Sequence, residues 1–239
     1  MGFAALAYLV AYGARTPLLA LRGMLRVRNI AVVVVPAAAM GAFALLADGR
    51  LDARVTAGAI ALAVVPAPFV GPELVGRMRG RADLAGALVL GTVIATILVL
   101  GSRAPAAGAL FTATEAFALT AMFASVLPTI RDALLLPLRV AGWLAVAIVF
   151  ASVALQLPSI DGATVLAATA LLVIGVASAA IVASALGRDV AAAIGGAGLR
   201  DPALGIVLAT ITAGPDSTGV PLVYGVFCLV LAAAALRSR

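Results

Sequence analysis

The chain has 239 residues, 64% of them hydrophobic and only 11% charged, with a mean hydropathy of +1.22. A soluble domain carries about a quarter charged residues, so the composition excludes an ordinary soluble protein and indicates a helical protein embedded in a lipid bilayer. All 16 basic residues are arginine, giving a net charge of +6; they stand singly between apolar segments without an aromatic-rich basic surface, which argues against nucleic acid, and the absence of histidine with a single cysteine, Cys228, leaves almost no material for a metal site or any for an intrachain disulfide.

A helix needs about 20 apolar residues to cross the hydrocarbon core, and nine segments are predicted as spans: 2–14, 29–47, 55–80, 83–101, 107–128, 139–157, 162–186, 188–213 and 219–236. The first, in "MGFAALAYLVAYGARTP", is short. Its 13 residues reach only ~20 Å at about 1.5 Å per residue, which suits a tilted, partly interfacial helix or the remnant of a longer start. A cleaved signal peptide is a poor reading, because no basic residue precedes its apolar stretch and Arg15 follows it.

The segment 55–80 contains "VVPAPFVGPELVGRMRG", where Pro66, Pro68 and Pro72 deny a continuous helix. Gly71 is expected as a cap for a second half-helix, with Pro72 first and Glu73 next, favoured there by the helix dipole. On the following span, Thr92 and Thr96 read as helix-packing residues. Glu115, in "FTATEAFALT" of segment 107–128, either faces a cavity as a gating or proton-linked group or is a wet side chain near the outer interface, with the second reading slightly favoured.

The segment 188–213 repeats the interruption in the opposite chain direction. Gly195, Gly196 and Gly198 weaken the helix, and Pro202 cannot donate to the carbonyl of Gly198. Asp201 before Pro202 is a start signal for a new half-helix, as an N-cap carboxylate followed by proline at the first helical position. Unwound backbone is tolerated in a bilayer only where protein or a watery cavity satisfies it. Matched interruptions in the two halves of a chain point to a transport site at the midplane. Two broken helices of opposite direction therefore predict an inverted repeat whose breaks cross.

Arginine favours cytoplasmic loops. With the N-terminus outside, Arg15, Arg22, Arg26, Arg28, Arg77, Arg79, Arg81, Arg131, Arg139, Arg188, Arg237 and Arg239 fall inside, against Arg50, Arg54 and Arg103 outside. The expected orientation in the inner (plasma) membrane is N-terminus out and C-terminus in. Arg200, within a span, is a functional candidate by default, as are Glu73, Glu115 and Asp201. If the breaks cross, Arg200 can reach Glu73, Asp201 or both, either as a structural ion pair or as the receptor for an anionic substrate beside a proton-carrying carboxylate. No nucleophile stands beside an evident base and no phosphate loop follows a strand, so no enzyme activity and no cofactor are expected.

The stretches "GLRDPALGIVLATITAGP" and "VPAPFVGPELVGRMRGRADLAGALVLG" resemble the two crossover elements of the bile acid:sodium symporter family. The resemblance implies an all-α membrane protein forming a single transmembrane domain over 1–239, with a core subdomain of 29–101 and 162–236 and a panel subdomain of 2–14, 107–128 and 139–157. It implies transport of a small organic anion by rocking of core against panel. Where the family binds sodium, however, this chain departs from it. Gly71 and Pro72 stand for Ser-Asn, Ala85 and Val89 for two hydroxyl residues, Gly196 and Arg200 for Glu and Gln, and Asp201 for Asn. The expected site thus comprises Pro66, Pro68, Gly71, Pro72, Glu73, Gly195, Gly196, Gly198, Arg200, Asp201 and Pro202. Sodium coupling is expected to be lost, with proton coupling or none in its place. The alternatives are sodium held by backbone carbonyls alone, and a non-transporting receptor or assembly protein on the same scaffold.

Overall fold

A computed structural model describes residues 26–68, 71–100 and 160–237, with isolated helical positions between 133 and 155. The spans expected at 2–14 and 107–128, the residue Glu115 and most of 139–157 lie outside the described residues, and with them the panel subdomain. In chain order the elements are α1 (Val27–Leu46), α2 (Ala53–Val64), α3 (Gly71–Arg77), α4 (Ala82–Leu100), α5 (Gly162–Ala185), α6 (Val190–Ala193) running into a π-helical turn (Ile194–Gly198), α7 (Pro202–Ala213), a 3-10 turn (Pro215–Thr218) and α8 (Gly219–Arg237). No strand occurs among the described residues.

Among the described residues, four stretches are long and apolar enough to cross a membrane: Val27–Leu46, Gly162–Ala185, Val190–Ala213 and Pro215–Ala234. Two shorter apolar helices, Ala53–Val64 and Ala82–Thr96, accompany them. Leu166, Val173 and Ile181 on α5, and Val226, Leu229 and Val230 on α8, are exposed. Such side chains on the outer faces of apolar helices match a hydrocarbon surround, since a helix that is apolar all round belongs in a large core or a bilayer.

Four aspartates start helices. Asp52 Oδ1 accepts from the Arg54 amide at 3.0 Å, Asp161 Oδ1 from the Thr164 amide at 2.8 Å, Asp189 Oδ1 from the Ala192 amide at 2.9 Å, and Asp201 Oδ1 from the amides of Ala203 and Leu204 at 3.0 and 3.1 Å. The first turn of any helix leaves amides without intrahelical acceptors, and a carboxylate there answers both the hydrogen bonds and the dipole. The first three caps belong to helix ends in loops. Asp201 caps a helix that begins in the interior, at 1% exposure.

The core is in two parts. One cluster gathers Met40, Leu62, Leu171, Leu208 and Tyr224, and the other Val32, Val75, Leu88, Ala183 and Ala193. The first draws on the end of α1, the length of α2, the starts of α5 and α8, and parts of α4 and α7. The second draws on the start of α1, the end of α5, and α3, α4 and α6. Small residues dominate the second, which allows backbones to approach closely where no water drives helices together.

Candidate functional site: the meeting of two helix breaks

Both interruptions read from the sequence are present. Between α2 and α3 the backbone leaves the helix at Val65, with φ −66° and ψ 154°. Between the π-helical turn and α7 it leaves at Leu199, with φ −88° and ψ 161°. Pro202 is the first residue of α7 and Asp201 its cap, as expected. Gly71 heads α3, and its amide donates to the Pro68 carbonyl at 2.8 Å. Glu73 is the third residue of α3 and its side chain lies outside the described parts of the structure.

The two breaks touch. The Asp201 amide donates to the Pro66 carbonyl at 2.9 Å. Pro66, Pro68, Gly71, Gly195, Gly196 and Gly198 are buried, and Pro72 and Pro202 partly so. The glycines are there for proximity: a Cβ on Gly71 would collide with the carbonyl of Gly195, and a Cβ on Gly196 would come within 2.7 Å of the Ala85 carbonyl. Gly175 on α5 has the same relation to the carbonyl of Gly198. Gly175 is the fourteenth of the 24 residues of α5, so at about 1.5 Å per residue the second break passes α5 near its middle.

Part of the unwound backbone is satisfied by hydroxyl groups on the helix after each broken one, α4 and α8. For the first, Thr92 Oγ1 accepts from the Ala67 amide at 2.9 Å and Thr96 Oγ1 donates to the Val64 carbonyl at 2.8 Å. For the second, the Tyr224 hydroxyl accepts from the Arg200 amide at 3.0 Å. Thr92 and Thr96, read from the sequence as helix-packing residues, are buried and in addition bond the backbone of the first break. Their hydroxyls replace the helix partners that the prolines and extended dihedrals remove, in a place where an unpaired amide or carbonyl costs several kcal/mol, about 2 to 7 by transfer scales. Thr92, Thr96, Tyr224 and Gly175 were not among the expected site residues. The available signal was a hydroxyl side chain on the apolar span just after each interruption.

Arg200 is 1% exposed, and its Nε and Nη2 have no hydrogen-bond partner among the described residues. The expected pair with Asp201 does not form. Asp201 Oδ1 is instead turned to the start of α7, which is where an N-cap carboxylate must point. Nε–H and the adjacent Nη2–H make up the side-on edge of a guanidinium, two parallel donors spaced for the two oxygens of one carboxylate. Buried arginines are ordinarily paired, and this edge of Arg200 finds no partner among the described residues.

Charge also separates by end. Arg81 pairs with Asp83 at 2.8 Å and its amide donates to Asp189 at 3.0 Å, which ties the α3–α4 turn to the start of α6. Toward the other cluster, Arg54 pairs with Asp161 at 2.9 Å, joining the starts of α2 and α5. Thr164 and then Arg54 hold the Asp161 carboxyl below the usual carboxylate range, the hydroxyl and amide of Thr164 being the larger cause.

Fold and site define an all-helical membrane protein in which two interrupted helices meet through their backbones beside a buried arginine. No protein-family model matches the chain, and no curated protein matches it.

Proposed function

We propose that the chain is a secondary transporter for a small organic anion, working by alternating access on the plan of the bile acid:sodium symporter superfamily. The observation that carries this reading is the contact between the two breaks, Asp201 amide to Pro66 carbonyl at 2.9 Å, near the middle of α5. Nine spans would form one domain, a core of 29–101 and 162–236 against a panel of 2–14, 107–128 and 139–157. The equivalent service of each break by a hydroxyl on the next helix supports the inverted repeat. The substrate's anionic end sits on the side-on edge of Arg200, where Nε and Nη2 are buried without a partner among the described residues.

Sodium has little to bind in this arrangement. The carbonyls of Val64, Pro66 and Pro68 each already accept a hydrogen bond, and a fixed guanidinium stands at the crossing. Transport therefore proceeds without sodium, by proton coupling or facilitated movement. The arginine bias of the loops supports an inner-membrane protein with its N-terminus outside and C-terminus in the cytoplasm.

The tight glycine contacts at the crossing favour one other reading, a non-transporting membrane receptor or assembly protein. The open edge of Arg200 weighs against it, because a scaffold without cargo gains nothing from a buried cation whose Nε and Nη2 are without a partner among the described residues. Uptake of labelled organic anions by proteoliposomes, with and without sodium or pH gradients, separates the two. Saturable uptake indifferent to sodium is expected, and absence of any uptake favours the non-transporting protein.

A further inference from the structure

We infer that Arg200 makes this protein an exchanger, which reorients readily only when an anion occupies the side-on edge of the guanidinium and so moves one anion inward for each one outward. The inference rests on the transport reading of the same site and adds the mode of transport.

An arginine stays charged in proteins, so the site cannot neutralise itself by releasing a proton as a lysine can or by taking one up as a carboxylate can. No other side chain among the described residues fills the edge: Nε and Nη2 are both buried without a partner, and Asp201 faces the α7 amides. The backbone groups around it are also committed, with the Arg200 amide on Tyr224 and the Asp201 amide on Pro66.

Alternating access requires a state closed to both sides of the membrane. In an open state water can solvate the edge, and closing expels that water. Each hydrogen bond to a charged donor that is lost and not replaced lowers the population of the closed state roughly tenfold or more. A carboxylate lying in the guanidinium plane replaces both bonds at once. The loaded form then closes and the empty form stalls, with a difference of roughly 100-fold for two bonds.

The test uses the full-length chain in proteoliposomes loaded with labelled pyruvate, gluconate or cholate, three carboxylates of increasing bulk. Efflux is followed into buffer alone and into buffer containing the same unlabelled anion. An outside anion is expected to accelerate efflux at least tenfold. Equal efflux in both conditions overturns exchange and leaves transport standing. Absence of saturable flux for every probe in both conditions overturns the transport reading and exchange with it. Arg200→Gln, checked for folding by thermal melting, is expected to bring the ratio of the two rates close to one; an unchanged ratio in a folded Gln variant overturns the assignment to Arg200. The wild-type ratio decides the mode of transport even where that variant does not fold.

Discussion

The Thr92 hydroxyl accepts the amide of Ala67 at 2.9 Å while donating to the carbonyl of Val89 at 2.7 Å. One side chain thereby joins an intact helix to a broken one 25 residues away in sequence. Thr92→Val keeps the shape and removes the acceptor. It is expected to destabilise the protein by about 1–3 kcal/mol, the cost of a buried unsatisfied donor, read as a lowered melting temperature in detergent. Thr92→Ser is expected to retain most of the stability.

Tyr224→Phe removes the acceptor for the Arg200 amide in the same way. A loss of about 1–3 kcal/mol is expected. Because the Arg200 backbone is then no longer held, anion affinity should fall along with stability, which titration of the folded variant measures.

Gly71→Ala and Gly175→Ala each place a methyl group against a backbone carbonyl, of Gly195 and Gly198 respectively. Backbone cannot swing aside as a side chain can. Losses of about 1–3 kcal/mol or more are expected, with reduced folded yield. Gly41→Ala is the control, since nothing lies within 4 Å of its added carbon; helix propensity makes it neutral or slightly stabilising.

Arg200→Met is expected to separate stability from function. Removing a buried cation whose Nε and Nη2 have no partner among the described residues is expected to leave the fold at least as stable as before, while any stabilisation by added carboxylates disappears. A strongly destabilised Met variant would show that Arg200 is held by a structural partner instead.

Acid sensitivity should appear at the α5 start. Thr164, then Arg54, depress the Asp161 carboxyl in the folded protein. A depressed carboxylate contributes stability that is present above its unfolded value, near 3.8, and is lost as pH falls through the lower folded value. Asp161→Asn is therefore expected to destabilise at neutral pH and to flatten the decline in melting temperature below about pH 4.

The breaks were legible because their causes are local. Proline at 66, 68, 72 and 202 lacks an amide wherever it stands, and an aspartate before proline caps a helix by the geometry of its own turn. What answered those breaks was not local. Thr92 and Tyr224 find their partners 25 and 24 residues away, and nothing in the helical pattern around either residue names the amide it will meet. The glycines were legible as weak points in a helix, but which carbonyl each admits depends on packing. Arg200 was legible as an expensive charge. Of its two expected partners, Asp201 is turned to the start of α7 as its cap, and the Glu73 side chain lies outside the described parts of the structure.

The bond from Asp201 to Pro66 uses main-chain atoms only. Any residue with an amide can occupy the donor position, and any residue at all can supply the acceptor, so the join itself carries almost no coding requirement. An architecture seamed through its peptide groups can keep its shape while the letters around the seam are replaced over long descent. Its lineage would then be kept in geometry after it has faded from spelling.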